Sequence, residues 1–241
     1  MPSKLHPLQV NPTTGEPYLR LPSPHDNIII TPPRMSDVDA AMRNLNDRKV
    51  VDWLSSPPYP YLQSHAESRL TMVTKESDAI LADLEADDPE QSGGSLKIVG
   101  ACPVHALREV AEDGTETLIG DVHLRRCALV HEGAEQTVSC EENAARAVGD
   151  PSIIWCAGDW LASSHHGRGI MSAAFRTLMT DWAIPRMNVR VMRVETYAEN
   201  VASARVFEKF GFVQECIADD VIVTNTGVVR RGIRLLWWKH P

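Results

Sequence analysis

A glycine-containing turn between a strand pattern and a helix pattern is the segment of this chain best suited to bind an anion. The run from Trp160 to Ala174 reads as a strand end, a turn with Gly167 and Gly169, and a helix start. The first N–H groups of a helix lack intrahelical acceptors and lie at its positive dipole end, so they hold phosphate or pyrophosphate. The glycines permit close approach, and Arg168 would add a charged contact. The alternative is an ordinary turn whose glycines serve geometry alone.

Other chemical motifs are excluded because the sequence lacks the residues that they require. A dinucleotide fingerprint needs a third glycine where Ser172 stands, and no Gly-Lys-Ser/Thr phosphate loop occurs. The nine histidines show no metal-ligand spacing and the five cysteines form no CxxC pair, so we predict no metal and reduced thiols. The absence of Gly-x-Ser-x-Gly argues against a serine hydrolase.

The elements that must position this turn alternate between strands and helices. β-Branched and apolar runs predict strands, and apolar residues at helical spacing predict helices. Strand-helix-strand units combined with hairpins favour a mixed sheet and an α/β (α+β) fold. The expected strands cover residues 27–31, 96–109, 116–127, 153–161 and 189–196, with two more flanking 225–227, and the expected helices cover 36–47, 64–84, 169–183 and 201–210.

Three segments depart from this alternation. Residues 1–25 are rich in proline and predict an extended arm, laid over the domain or left loose, ahead of one domain over residues 26–241. Residues 76–90 are acidic and form the far end of a helix opened by a Ser64–Glu67 capping box, together with the loop after it; they indicate a solvated helix end and mobile loop, or an acidic recognition flap. Residues 131–150 are polar and predict a short helix within an insertion.

Composition and charge limit the classes of partner. Of the 241 residues, 43% are hydrophobic and 23% are charged, which is ordinary globular composition. The chain contains neither an apolar run of about 18 residues nor a secretory signal pattern, so we expect a soluble cytoplasmic protein without a membrane partner. A formal net charge of −8 disfavours nucleic acid and mildly favours cationic ligands.

The turn and its surroundings resemble the GNAT superfamily of acyl-CoA-dependent N-acetyltransferases. Its signature Gln/Arg-x-x-Gly-x-Gly/Ala falls on His166, Gly169 and Met171. The branch that acetylates ribosomal-protein N-termini is the most similar one, because 118–121, 158–161, 200–203 and 209–212 resemble its Leu-Ile-Gly, Gly-Tyr-Trp-Leu, Asn-x-x-Ser and Lys-x-Gly-Phe segments. The resemblance spans residues 27–239, in the same order as in the family.

This resemblance implies a strongly bent mixed β-sheet flanked by helices, with acetyl-CoA as cosubstrate. Two strands splay apart to admit the pantetheine arm, which pairs with a strand backbone. Asn200 is expected either to contact the pantetheine or only to cap its helix, and Phe207 is expected near the cofactor. The implied pantetheine contacts are Trp160, Leu161 and Ala162, and the implied pyrophosphate contacts are His166, Gly167, Arg168, Gly169, Ile170, Met171 and Ser172.

The implied chemistry is direct attack of a neutral amine on the acetyl thioester, which requires a base, an oxyanion donor and an acid. Many family members use a helix tyrosine as the acid, at the position that Phe207 occupies here. Ser203, one turn earlier on the same face, is the expected substitute; alternatively its hydroxyl bonds its own backbone. The base stays open between a water chain and the side chains of Asp159, Glu195, Glu199 and Glu215, and Tyr197 and His123 are further candidates to face the cleft.

The resemblance therefore predicts an acetyl-CoA-dependent N-acetyltransferase acting on a primary amine. The acceptor is expected to be a peptide N-terminus or a small cationic amine such as a polyamine, and the enzyme a monomer or homodimer. The alternative is a degenerate, non-catalytic module of the same fold that binds acyl-CoA or a protein partner. Fold likeness alone does not decide between these functions.

Overall fold

The computed structural model describes residues 3–87, 96–129 and 136–240. Its strands are Gln9–Val10 (β1), Pro17–Arg20 (β2), Ile28–Thr31 (β3), Ala106–Val110 (β4), Glu116–Arg126 (β5), Ile154–Leu161 (β6), Val191–Tyr197 (β7), Val213–Val223 (β8) and Val229–Lys239 (β9). They form one mixed nine-stranded sheet in the order β1-β2-β3-β4-β5-β6-β7-β9-β8. The pair β6–β7 is parallel, whereas the other neighbouring pairs are antiparallel.

Helices cover both faces of this sheet. They are Val38–Leu45 (α1), Arg48–Val51 (α2), Gln63–Glu85 (α3), Gln136–Ala145 (α4), Ile170–Thr177 (α5), Ile184–Met187 (α6) and Val201–Glu208 (α7), and a π-helical stretch, Leu178–Ala183, joins α5 to α6. On one face, α5 and α7 contribute Ile170, Phe175 and Phe207 to the main core. On the other face, Ala41 of α1 and Ala66 of α3 pack against a smaller apolar cluster. No helix in the described ranges is both long and apolar enough to cross a membrane.

The proline-rich N-terminal segment extends the sheet. Strand β1 pairs with β2, and β2 pairs with β3. Leu19 and Leu21 are buried in the main core. The buried guanidinium of Arg186 donates hydrogen bonds to the backbone carbonyls of Lys4 and His6, which fixes the segment from its other side. Proline is tolerated here because β1 and β2 lie at the sheet edge, where fewer backbone donors are required.

Helix α3 begins and ends within one residue of the sequence expectation, but its N-terminal cap differs. Its first turn is capped by His65, whose Nδ1 accepts from the Leu62 N–H (3.1 Å), rather than by a Ser64–Glu67 box. The acidic side chains at its far end, Glu76, Asp78, Asp83 and Glu85, are exposed, which confirms the predicted solvated helix end. Leu84 on the other face of the helix is buried, and Lys97 Nζ lies 2.7 Å from Asp83 Oδ1. Residues 88–95 lie outside the described ranges.

Two further expectations need smaller corrections. The strand expected over 96–109 is shorter, because β4 covers only Ala106–Val110 and 96–105 form no strand. In the polar segment, α4 confirms a helix, but the helix begins at Gln136, earlier than expected, while residues 130–135 lie outside the described ranges. All five cysteines are free thiols.

Candidate active site

The strands β6 and β7 separate after two residue pairs, and this separation creates the principal cleft. Strand β6 pairs with β5 along its length, from Gly120↔Leu161 to Arg126↔Trp155. It pairs with β7 only at Ile154↔Val191 and Trp155↔Met192. Beyond Trp155, the other edge of β6 therefore has no strand partner among the described residues. A cleft of about 540 Å³ lies there.

The N-terminus of α5 borders the same cleft. Gly167 and Gly169 have φ angles of 73° and 82°, in the left-handed region where glycine avoids a Cβ clash. Gly169 is the N-cap residue, and no side chain caps the helix. The Ala173 N–H bonds to the Gly169 carbonyl. The amides of residues 170–172 precede that first bond, so they have no acceptor within the helix, and all three residues line the cleft.

The other predicted residues of the turn divide into two groups. Trp160, Leu161, His166 and Gly167 line the cleft, whereas Ala162 and Arg168 do not. His166 Nε2 lies 2.8 Å from the Leu161 carbonyl, so that ring nitrogen donates to it. Met171 is 7% exposed and belongs to the main core, so its side chain does not fill the cleft.

Three cationic side chains that were not predicted from the sequence line the cleft. They are Lys49, Arg205 and Lys209. Arg205 and Lys209 are four residues apart in the predicted helix that follows Asn200. This spacing predicts that both side chains lie on one face of the helix. Lys49 carried no local signal, because it arrives from a distant segment. It is brought there by the α2 N-cap, Asp47, whose Oδ2 accepts from the Ser163 hydroxyl (2.5 Å). This bond and the Lys49 amide lower the pKa of Asp47.

The start of α7 places two predicted side chains in the cleft. Asn200 caps the helix, its Oδ1 accepting from the Ser203 N–H (3.1 Å), and both residues line the cleft. The Ser203 hydroxyl has no hydrogen bond to another described residue. Phe207 is 2% exposed and lies edge-on to Phe175, with ring centroids 5.1 Å apart. The structure therefore places Phe207 in the core and not at the cleft.

Of the candidate carboxylates, Asp159 and Glu199 line the cleft. Burial raises the pKa of Asp159 to about 6; the charge of Asp121 adds to the rise and His123 opposes it. Glu199 accepts from Arg230 at 2.9 Å. The carboxylate of Glu195 lies 4.0 Å from Arg193, away from the cleft lining.

Two other candidates lie away from the cleft. Glu215 accepts from Trp237 Nε1 at 2.6 Å. Tyr197 is buried in a cluster with Ile233 and Leu235, and its hydroxyl has no hydrogen-bond partner among the described residues. Neither residue lines the cleft.

A second cavity, here called the groove, lies between α1, α3 and β5. Its volume is about 1,050 Å³, and Trp160 lines both the groove and the cleft. In its wall, Asp121 accepts from Nδ1 of His105 (2.5 Å) and Nδ1 of His123 (2.6 Å). The His123 ring lies so close to Gly158 that a Cβ there would come within 2.7 Å of it.

The protonation of this cluster follows from mutual contact. Burial alone would lower the pKa of His123, but the charge of Asp121 and their hydrogen bond outweigh it and raise that pKa. Burial opposes ionisation of Asp121, yet the two imidazoles hold its pKa well below the usual range. Within the described residues, no three His, Cys, Asp or Glu side chains are grouped as metal ligands.

Known structures share this architecture. Ribosomal-protein-S5-alanine acetyltransferase from Vibrio fischeri has a TM-score of 0.58 at 14% identity, covering 92% of this chain and 96% of that chain. Mycobacterium smegmatis RimJ, in complex with CoA-disulfide, has a TM-score of 0.55 at 18% identity, with coverages of 93% and 86%. The microcin C7 self-immunity acetyltransferase MccE, in complex with acetyl-CoA and AMP, has a TM-score of 0.55 at 13% identity, with coverages of 89% and 93%. At these identities the likeness shows the fold.

Sequence comparison identifies the family. No curated protein matches the chain. The family model of the acetyltransferase (GNAT) domain matches residues 27–213, which is most of the chain. Together with the mixed sheet, the separated strands and the uncapped helix after the glycine turn, this match shows that the chain belongs to the GNAT acetyltransferase family.

Proposed function

We propose that this protein transfers an acetyl group from acetyl-CoA to a primary amine. The observation that carries the proposal is the free edge of β6, which opens into a cleft that ends at the uncapped N-terminus of α5. An extended amide-bearing chain ending in a diphosphate fits both features, because a strand edge pairs with amides and a helix N-terminus holds phosphate. Bound CoA species in RimJ and MccE support the same assignment.

Different residues of the cleft would bind the pyrophosphate and the pantetheine of acetyl-CoA. The amides of Ile170, Met171 and Ser172 would hold the pyrophosphate, with cationic support from Lys49, Arg205 and Lys209. The edge of β6 at Trp160 and Leu161 would pair with the pantetheine amides. Acetyl-CoA supplies the activated carbonyl when bound. We give Ala162, Arg168 and Phe207 no direct side-chain role, because none of them lines the cleft.

Asp159 is the proposed proton acceptor. It lines the cleft, and its carboxylate has no hydrogen bond to another described residue. A pKa of about 6 leaves it ionised at neutral pH yet basic enough to take a proton as the amine nitrogen forms its bond to the acetyl carbon. We leave Glu195 outside this mechanism, because its carboxylate lies near Arg193 and away from the cleft.

Ser203 is the proposed proton donor. As the carbon–sulfur bond breaks, its hydroxyl would donate a proton to the departing sulfur and recover one from solvent. The hydroxyl is free for this role, because the Asn200 side chain bonds the Ser203 amide instead. The amine would enter through the groove, which meets the cleft at Trp160. Peptide N-termini and small amines are the acceptor classes to test.

The proposal is tested by calorimetric titration with CoA and by thiol release from acetyl-CoA in the presence of peptides, polyamines and other amines. We expect CoA binding and release of thiol with at least one class of amine. A chain that binds CoA but transfers to no amine would instead be a non-catalytic binding module. A chain that does not bind CoA would contradict the assignment of the cleft.

The Ser203 assignment has a matched control. Ser64 is exposed in the first turn of α3 and lines neither cavity. Ser203→Ala should lower kcat roughly tenfold to a thousandfold, the range of a positioned proton donor, while leaving the Kd for CoA nearly unchanged. Ser64→Ala should change neither constant. Equal kcat values for the two variants, with chemistry limiting turnover, would remove Ser203 from the mechanism.

A further inference from the structure

The groove has one wall from α3 and another from β5, and the two walls differ in how their charges are satisfied. Residues of α3 at intervals of three and four reach it, namely His65, Arg69, Val73, Glu76 and Ile80. Strand β5 contributes Asp121, His123 and Arg125. The question is therefore which of these charges lacks a counter-charge within the protein.

The carboxylates of the groove are mostly neutralised. Asp37 receives two hydrogen bonds of 2.7 Å from the buried guanidinium of Arg108. Asp121 is shared between two imidazoles. Only Glu76 remains, and it lies seven residues beyond Arg69, about 10 Å further along the helix axis. The α3 wall near Arg69 is thus left without a carboxylate of its own.

Two exposed arginines of the groove, Arg69 and Arg125, have no ion pair among the described residues. Arg69 has no ion pair and no hydrogen bond to another described residue. Arg125 Nε donates to Cys156 Sγ (3.3 Å), and its guanidinium has no ion pair within the described ranges. Arg69 and Arg125 line the same groove as His123, whose imidazole is already hydrogen-bonded to Asp121. Arg69 and Arg125 are therefore the cations of the groove that are open to an anionic ligand.

From this arrangement we infer that the acceptor is an amine that also carries an oxyanion, a carboxylate or a phosphate, and that Arg69 binds it. The inference rests on the proposed acetyl transfer, since it specifies what enters the groove. A guanidinium pairs with either oxyanion through two parallel hydrogen bonds. The chain carries 32 acidic and 24 basic residues, yet the exposed guanidinium of Arg69 has no ion pair with any described residue and lies beside the route to Trp160. Net charge favours a cationic acceptor, but the groove itself presents the opposite charge.

The experiment compares acceptors that differ only in this group. Tripeptide amides with a free N-terminus, Ala-Asp-Ala, Ala-phosphoserine-Ala, Ala-Asn-Ala and Ala-Lys-Ala, are assayed beside β-alanine, phosphoethanolamine and propylamine. In the wild type we expect the carboxylate or phosphate compounds to have KM values roughly tenfold to a hundredfold below those of their neutral counterparts, the range of one charged hydrogen-bonded contact. The two anionic arms show which oxyanion is preferred.

Variants test whether Arg69 is the cause. Arg69→Gln should remove this preference by raising KM for the anionic acceptors, with kcat and the CoA Kd unchanged, and Arg69→Lys should restore part of it. Arg43, an exposed arginine of α1 that lines neither cavity, provides the control: Arg43→Gln should leave the preference intact.

The outcomes separate this inference from the proposed function. Acetyl transfer that favours neutral or lysine-containing acceptors would overturn the inference while leaving the transfer activity established. Equal losses in Arg69→Gln and Arg43→Gln would also overturn it. CoA binding without transfer to any amine in the series would contradict the proposed function itself, and the inference would fall with it.

Discussion

Asp159 illustrates how one half-buried carboxyl group couples catalysis to stability. Burial is the main cause of its raised pKa, so ionisation in the folded state costs free energy that the unfolded chain does not pay. A carboxyl group whose folded pKa lies above its unfolded pKa favours folding in its protonated form. The contribution is present at acidic pH and is lost as the pH rises through about 6.

The first prediction follows from this pKa. The kcat/KM should fall as the pH is lowered through about 6, because protonation removes the proposed base. Asp159→Asn should lower kcat and remove that acidic limb, while raising Tm near neutral pH because the buried charge is gone. The exposed Asp39 is the control, and Asp39→Asn should change neither the profile nor Tm. A lower Tm in Asp159→Asn would show that the carboxylate is stabilised rather than strained.

The second prediction concerns Phe207, at the position where many family members carry a tyrosine acid. Because its ring is enclosed by Phe175 and Phe212, a hydroxyl added there would be buried in an aromatic cluster. Phe207→Tyr should therefore fail to restore kcat in a Ser203→Ala background. It should also destabilise the fold by about 1–3 kcal/mol, the cost of an unsatisfied polar group. Thermal melting and single-turnover rates check both, and restored turnover would place the ring at the cleft.

Some site residues could be predicted from the sequence and others could not, for a physical reason. Gly169, Asn200 and Ser203 occupy positions fixed by backbone geometry, namely a left-handed turn and a helix cap, which short patterns specify. The direction of Phe207 and the remoteness of Glu195 depend on packing between distant segments. Short sequence patterns do not specify this packing, so the positions of these two side chains could not be predicted.

At the scale of the elements, the start of α5 depends on the backbone conformation of Gly169. Gly169 ends the turn with a φ angle of 82°, and its conformation aims the following amides at the cleft. A β-carbon would meet only His25 Nε2, at 3.7 Å, so the penalty for an added side chain is conformational rather than steric. A substitution at Gly169 therefore tests the free-energy cost of the left-handed backbone conformation without a steric clash.

The third prediction tests this conformational cost at Gly169. Gly169→Ala should destabilise the fold by about 1–2 kcal/mol, the cost of a left-handed non-glycine residue, and should weaken CoA binding as the amides shift. Gly227 has the same φ of 82° in the β8–β9 turn, with nothing within 4 Å. Gly227→Ala should show the same loss of stability with an unchanged Kd for CoA. Equal Kd values for CoA in the two variants would show that the α5 amides do not bind the cofactor.

Across the whole molecule, the N-terminal segment is part of the same sheet. Leu8, Leu19 and Leu21 are buried in the main core, and Arg186 bonds the carbonyls of this segment from the opposite side. The alternation of strands and helices after residue 27 could be predicted from periodicity. The two N-terminal strands could not, because they are short and proline-rich and gain their hydrogen bonds only from each other and from β3.

The fourth prediction tests this integration. Leu19→Ala should lower the free energy of unfolding by about 2–5 kcal/mol, because it removes methyl groups from a filled core. Val10, 46% exposed in β1, is the control, and Val10→Ala should stay within about 0.5 kcal/mol of the wild type. Chemical denaturation measures both. Equal stabilities of the two variants would favour a dispensable arm ahead of an independent domain over residues 26–241.

The contact between Gly158 and His123 also constrains how this protein diverges from its relatives. A Cβ at position 158 would lie 2.7 Å from the imidazole of His123, so position 158 cannot gain a side chain while that ring stays in place. We expect the two sites to covary: homologues that keep an imidazole at 123 should keep glycine at 158, and homologues with a larger residue at 158 should carry a small one at 123. A residue larger than glycine at position 158 would then remove His123 from its contact with Asp121.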